Sequence, residues 1–327
     1  MSKLHVGLTV KGRKINNDPH NPKYMGELTE VQKRIRDLAR EKDVVILAHN
    51  YQVPEVQDIA DIVGDSLVLA MKAAETSQAN ILFCGVDFMA EAAKALSPDR
   101  RVIHPVPDSH CPMAHMVDVE GLEEFKEQHP GAPVVAYVNT TAETKAHAYI
   151  CCTSANAVKV VKSLEEKEII FIPDSNLGAY VQSQVPGKMV HLWAGYCHVH
   201  NDITVDQIKE AMSEHPDARV MVHPECRMEV IEFADVVTST EGMLRYAESS
   251  DAKEFIVGTE EGLAYRLENE VPGKVFHRIE TAICPNMKKI TLKDVLRSLE
   301  NLGPEVELDP EIIEKNKPPL ERMLSLK

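Results

Sequence analysis

The 327-residue sequence holds no block of lysine or arginine, no apolar stretch approaching the roughly 20 residues that cross a bilayer, and no Cys-x-x-Cys pair. Each absence removes a class of function. With 36 basic against 51 acidic side chains and a net charge of −15, the chain lacks the electrostatic footprint that a phosphate backbone demands, so nucleic acid is not an expected partner. Residues 1–7 carry no apolar signal core, so neither membrane nor export is expected, and the reading is a cytoplasmic protein. The local cysteine pairs of a zinc ribbon or ferredoxin are missing. What remains is seven scattered cysteines. In a reducing compartment an odd number of them indicates thiols, metal ligands or catalysis and not a disulfide framework.

Three of the seven, Cys111, Cys197 and Cys284, lie 86 and 87 residues apart, each just after a short apolar run. Other markers share this period. Apolar runs beginning at Val44, Val134 and Val220 lead into the polar clusters His49-Asn50-Tyr51, Tyr137-Val138-Asn139 and His223-Pro224-Glu225. Further on, Ser66, Ser154 and Thr240 are separated by 88 and 86 residues. A weaker set is Cys84-Gly85-Val86-Asp87, Pro173-Asp174-Ser175-Asn176 and Gly258-Thr259-Glu260-Glu261. The chain therefore reads as a triplication, and 44% hydrophobic content suffices to give each unit a core. The expected boundaries are 1–117 for an N-terminal helix plus the first repeat, 118–204 for the second and 205–293 for the third. Helices expected over 28–42 and from Pro310 to Met323, the latter in the C-terminal segment 294–327 with Asp309 as a cap before Pro310, are assigned to the outside of the repeats.

Each unit reads as strand, helix, strand, helix, strand. In the first, Val56, Ile59, Ala60 and Val63 mark a helical face, followed by the runs Ile81-Leu82-Phe83 and Val102-Ile103. Such alternation predicts an α/β fold of three α/β/α sandwich domains, each with a short, mainly parallel sheet. Ligands would bind outside the carboxyl ends of the strands, where the polar clusters fall. Pro54 and Pro224 sit near an expected first helical turn, so helix N-termini should aim free donors at the same place and favour an anionic ligand.

Arranged about a pseudo-threefold axis, three units can each send one thiolate to a common centre and leave one coordination position open for chemistry such as dehydration or condensation. Cys84, the adjacent pair Cys151 and Cys152 near an expected helix end, and Cys226 lack the spacing and read as structural. The pairs His49 and Tyr51, Tyr137 and Asn139, and His223 and Glu225 are two residues apart at strand ends, which points both members one way. Singly, His49 or His223 reads as a structural histidine; as equivalents in a repeat they read as ligand contacts. Arg and Lys are scarce in these clusters, so anions would be held by histidines, hydroxyls and helix N-termini.

These residues resemble the quinolinate synthase family over nearly the whole chain. The motifs are Ala48-His49-Asn50-Tyr51-Gln52, Gly64-Asp65-Ser66, Gly85-Val86-Asp87-Phe88-Met89-Ala90-Glu91, Tyr137-Val138-Asn139-Thr140-Thr141-Ala142, Thr153-Ser154-Ala155-Asn156-Ala157, His223-Pro224-Glu225, Ser239-Thr240 and Cys284-Pro285-Asn286-Met287-Lys288. The resemblance implies three pseudo-threefold-related domains around one [4Fe-4S] cluster, with Cys111, Cys197 and Cys284 at the ligand positions. It implies a transferase-type synthase that condenses iminoaspartate with dihydroxyacetone phosphate to quinolinate, phosphate and water for NAD biosynthesis. An aspartate oxidase or dehydrogenase is expected to supply the iminoaspartate. By motif, His49, Tyr51, Ser66, Tyr137, Asn139, Ser154, His223, Glu225, Ser239 and Thr240 match the family's pocket positions. Tyr51, His223 and Glu225 are the catalytic candidates, Tyr51 and Glu225 for proton transfer.

One segment departs from the family pattern. Residues 107–113 match it loosely, with His110 and Pro112 flanking Cys111, which makes Cys84 a rival first ligand; the repeat spacing favours Cys111. Two other functions fit a three-cysteine centre: a reductive dehydroxylase resembling the hydroxymethylbutenyl diphosphate reductases, and a redox-sensing protein. The first needs delivered electrons, and the second has little use for so many polar pocket residues.

Overall fold

In the computed structural model, which describes residues 28–326, the chain passes through one order of elements three times. The first pass is α1 (Glu30–Glu41), β1 (Val44–His49), α2 (Pro54–Ile59), β2 (Ile62–Gly64), α3 (Ser66–Glu75), β3 (Asn80–Cys84), α4 (Asp87–Leu96) and β4 (Arg101–Ile103). The second is α5 (Val119–Gln128), β5 (Val134–Tyr137), α6 (Ala142–Lys145), β6 (Ile150–Cys152), α7 (Ala157–Ser163), β7 (Glu168–Ile172), α8 (Ser175–Gln184) and β8 (Met189–Leu192). A short α9 (His198–Asn201) leads into the third: α10 (Val205–Glu214), β9 (Arg219–Val222), α11 (Met228–Ile231), β10 (Val236–Val237), α12 (Thr240–Ser249), β11 (Glu254–Gly258), α13 (Gly262–Glu270) and β12 (Val275–Arg278). Two further helices follow, α14 (Leu292–Asn301) and α15 (Pro310–Ser325).

Each pass builds a four-stranded parallel sheet, in the orders β2-β1-β3-β4, β6-β5-β7-β8 and β10-β9-β11-β12. The strand sequences are continuous apolar runs because both faces are covered; every residue of β1, β3 and β5 is buried. In each sheet the chain leaves the first strand to one side and returns on the other. The crevice of each sheet therefore opens where the first and third strands end. The three polar clusters leave the first strands, and the weaker marker set leaves the third.

Several expectations need correction. Each unit has four strands, not three. The extra ones, β2, β6 and β10, span only two or three residues, too short to show a period. Val63 lies on β2 and α2 stops at Ile59, so the expected single helical face is a helix and a strand. Cys151 and Cys152 lie on β6, not near a helix end. Pro54 opens α2, whereas Pro224 sits in a turn ahead of α11.

The flanking helices are also not outside the repeats. N-cap residues Thr29, Asp118, Thr204 and Thr291 start α1, α5, α10 and α14 at similar intervals, each side chain accepting the backbone N–H three residues on. Thus α1 is the leading helix of the first repeat and α14 is a fourth copy. Together they bury Ile35, Leu38, Val295 and Leu299 over β1. The helix expected from Pro310 to Met323 is present as α15, but the segment 294–327 is not one helix: α14 runs into it and ends at Leu302 in the left-handed region (φ 50°). Asp309 caps the second, α15, whose Leu320 and Met323 enter an apolar core shared by the first two repeats. The expectation for residues 1–27 lies outside the described residues. No described helix is long and apolar enough to cross a membrane.

A second repeat signature lies at the opposite strand ends. His215 stacks on His277 at 3.4 Å, with Glu254 3.0 Å from His277 Nε2, and the second repeat sets His129, His191 and Glu168 in the same way. The His215 and His277 rings lie 10° from parallel, so their in-plane lone pairs run side by side and do not converge on one ion. In the first repeat Asn80 fills this place and donates to the Lys42 carbonyl.

Candidate functional site

The three crevices open into one cavity. Cys111, Cys197 and Cys284 line it together, while Cys84 is fully buried at the end of β3. His49, Tyr51, Ser66, Tyr137, Asn139, Ser154, His223, Glu225 and Thr240 complete the sequence-predicted wall. Ser239 does not line the cavity. It is the N-cap of α12, and its hydroxyl turns back to accept the Gly242 N–H at 3.3 Å.

His49 and His223 are held alike. Each is the first residue of a strand-end turn and its Nδ1 accepts the backbone N–H two residues on, from Tyr51 at 3.2 Å and from Glu225 at 3.4 Å. That acceptance puts the proton of each neutral ring on Nε2, where His223 meets Ser154 Oγ at 3.2 Å. Burial drives both imidazoles down to about 3, so both are neutral near pH 7.

A hydrogen-bonded chain crosses the cavity wall. Tyr51 Oη lies 2.8 Å from Thr259 Oγ1, Thr259 lies 2.8 Å from His200 Nε2, and His200 Nδ1 lies 2.7 Å from Glu225 Oε2. Tyr137 donates to the other oxygen of Glu225. One set of proton positions satisfies every member: Tyr51 donates to Thr259, Thr259 to His200 Nε2, and His200 Nδ1–H to the carboxylate. Burial opposes the charge on Glu225, but the His200 imidazole and the Tyr137 hydroxyl, donating to its two oxygens, hold its carboxyl below the ordinary range, so it is an anion. Burial and the Glu225 charge together push Tyr51 and Tyr137 well above the ordinary phenol value, so both keep their protons.

His200 and Thr259 are absent from the sequence-predicted set. The signal for His200 was its place three residues after Cys197; that for Thr259 was the weak repeat marker Gly258-Thr259-Glu260. Asp65 and Glu260 line the cavity too. Asp65 caps α3, and burial together with the Glu241 charge raises its carboxyl to about 6. Asn139 Oδ1 is shielded from solvent and has no partner among the described residues.

The donor set is compatible with a metal site. Burial pushes all three lining thiols up, and the Glu225 charge adds to it at Cys197 and Cys111. Thiolates are stable in such a place when a cation is brought to them. The donor atoms of Cys197, His200 and Glu225 also lie within 4.8 Å of one another. Among the described residues no Arg or Lys lines the cavity. Ser66 and Thr240 are instead the first residues of the ten-residue helices α3 and α12, whose N-termini carry free donors and positive potential.

Three parallel sheets open their crevices on one cavity with titratable and hydroxyl side chains in its wall, the place where α/β enzymes bind small molecules. Comparison with known proteins narrows the class. Residues 33–325 match the profile of the quinolinate synthetase A protein family, and the chain belongs to that family. It is 50% identical to the quinolinate synthase of Aquifex aeolicus (strain VF5) over 306 residues, 92% of this chain and 95% of that protein. It is likewise 50% identical to that of Pelobacter propionicus over 297 residues, 90% and 98% of the two chains. Quinolinate synthase 1 of Methanosarcina acetivorans matches at 50% over 296 residues, 90% and 97%.

Proposed function

We propose that the chain is a quinolinate synthase of NAD biosynthesis, which condenses iminoaspartate with dihydroxyacetone phosphate and releases phosphate and water. We further propose that Cys111, Cys197 and Cys284 hold one [4Fe-4S] cluster. The observation that carries this reading is the convergence of the three thiols on one cavity with Tyr51, His200, Glu225 and Tyr137, which fully buried Thr259 links from behind the wall. When bound, such a cluster leaves one iron without a protein ligand, and that iron supplies Lewis acidity toward a carboxylate or hydroxyl.

The protein's own residues divide the remaining work. Ser66, Thr240 and the N-termini of α3 and α12, with the Nε2–H of His49, offer donors to carboxylate and phosphate oxygens without a fixed cation. The orphaned Oδ1 of Asn139 suits an N–H or O–H of the bound substrate. Tyr51 is the acid at the cavity wall. A proton that its oxygen gives to the substrate is replaced when Thr259 passes its own hydroxyl proton to Tyr51 and takes one from His200 Nε2, which requires His200 to enter the step as an imidazolium, with its Nδ1–H on the Glu225 anion at 2.7 Å, and to leave it neutral. Seven free thiols suit the reducing cytoplasm.

The test is an anaerobic assay of iron- and sulfide-replete protein with iminoaspartate and dihydroxyacetone phosphate, in which quinolinate should form; its absence overturns the assignment. Cys111→Ala should remove the brown chromophore near ~400 nm, whereas Cys84→Ala should keep it. A chromophore that survives Cys111→Ala removes Cys111 from the ligand set.

A further inference from the structure

We propose that Asp87, Asp174 and Glu260 are positioning residues that fix the three cysteine loops, one carboxylate per loop. The proposal rests on the reading that Cys111, Cys197 and Cys284 hold the metal, and it concerns residues that neither the pocket motifs nor the proton chain uses.

The same bond occurs three times. The backbone N–H of Cys111 donates to Asp87 Oδ1 at 3.0 Å, that of Cys197 to Asp174 Oδ2 at 3.3 Å and that of Cys284 to Glu260 Oε1 at 3.0 Å. The partners are 24, 23 and 24 residues apart in the chain. Each acid follows the third strand of its sheet, and each cysteine follows the fourth. Each acid also accepts a backbone N–H at the start of the helix beyond its strand: Phe88 at 2.9 Å, Leu177 at 2.9 Å and Gly262 at 2.7 Å. A single carboxylate thereby locks the cysteine loop to the mouth of its own crevice.

What the three loops share is geometric: Asp174 and Glu260 use separate oxygens for the two N–H groups, and Asp87 Oδ1 accepts both. The three carboxyls differ in their remaining partners. Asp87 Oδ2 meets His110 Nδ1 at 2.8 Å and His115 Nε2 at 2.9 Å, and Glu260 pairs with Lys288 at 2.9 Å. Asp174 is fully buried and has no cationic partner among the described residues.

The test uses the full chain loaded with iron and sulfide, and follows iron release to a chelator and the visible spectrum of the cluster. Asp87→Ala, Asp174→Ala and Glu260→Ala should each lose iron on the order of ten-fold faster than the parent. Asp87→Asn keeps the one oxygen that accepts both N–H groups and should retain iron nearly as the parent does, whereas Asp174→Asn and Glu260→Gln keep one of two acceptor oxygens and should fall between the parent and their alanine variants. Iron release at the parental rate in all three alanine variants overturns the proposal. If an alanine variant does not accumulate folded, the amide variants decide, and iron release from Asp87→Asn as fast as from Asp174→Asn and Glu260→Gln overturns the proposal. A parent that takes up no iron and sulfide refutes the metal reading itself and not the anchors alone.

Discussion

The seam between the first and second repeats and the seams around the third are built from different materials. The first two repeats share one continuous apolar core, in which Phe83, Phe88 and Val102 of one meet Val138, Ile150 and Phe171 of the other. Helix α15 fills the groove between them with Leu320 and Met323, and Asn316 donates to the Ala142 carbonyl at 2.6 Å. The third repeat keeps its own apolar clusters and meets its neighbours through polar groups. Asn50 donates to Thr240 at 2.8 Å, Arg266 to Asn50 at 2.7 Å and Gln57 to the Gly262 carbonyl at 3.0 Å, while Tyr51, Ser154, Tyr137 and His200 reach Thr259, His223 and Glu225. A threefold repeat thus gives a twofold division of labour: one seam supplies cohesion and the others supply the hydrogen-bonded wall of the cavity. Buried polar groups need complete partner sets, so the polar seams define geometry strictly and tolerate little change.

The largest effect should come from the polar side without loss of fold. Glu225→Gln retains the shape of the wall but removes the anion that Tyr137 and His200 address, so turnover should fall about 10²–10⁴-fold while product binding, measured by calorimetry, persists. Near-parental turnover would take Glu225 out of the mechanism. Next, Arg266→Met strands Glu241 beside Asp65 in a buried place, since Arg266 is only 3% exposed and pairs with Glu241 and with Glu270 at 2.9 Å. Urea unfolding should show a loss of about 3–5 kcal/mol. On the apolar side, Leu320→Ala removes a fully buried side chain from the shared core and should cost about 3 kcal/mol. A cost below about 1 kcal/mol would show that the groove collapses readily and that α15 is not a brace.

The smallest effect is one of pH. Asp65 has its folded value raised from 3.8 to about 6 by burial and by Glu241. The folded state therefore holds this proton more tightly than the unfolded one, and the stability from Asp65 is complete below pH 3.8 and lost as pH rises through about 6. Asp65→Asn, which keeps an acceptor for the Val68 N–H, should lack that decline. Parallel stability curves for parent and variant over this window would refute it.

The division between seams also explains what could be read from the chain. Apolar runs ending in His49, Tyr137 and His223 are local, and they disclosed the sheets and most of the wall. Thr259 is informative only beside Tyr51 and His200, residues of two other repeats, so no window of sequence shows it. Asp87, Asp174 and Glu260 stood in the weakest repeat marker, because their partners are backbone N–H groups, which every residue type supplies. Ser239 misled for a related reason. A hydroxyl at a helix start either faces the ligand or turns back as a cap, and Ser239 and Thr240 take one course each. The route of the chain after the third repeat depended on a fourth leading helix, α14, whose Thr291 cap repeats those of Thr29 and Thr204.

Helix α15 has a consequence for how the protein is made. It comes after all three repeats in the chain, yet it packs against α4, α6 and β6, and Asn316 reaches back across 174 residues to Ala142. While the ribosome is still adding the third repeat, the first two have already emerged, with the groove between them unfilled and its apolar walls exposed to water. The first seam by position is then the last to be sealed, and a nascent chain stalled before Asp309 would present that groove to chaperones and proteases.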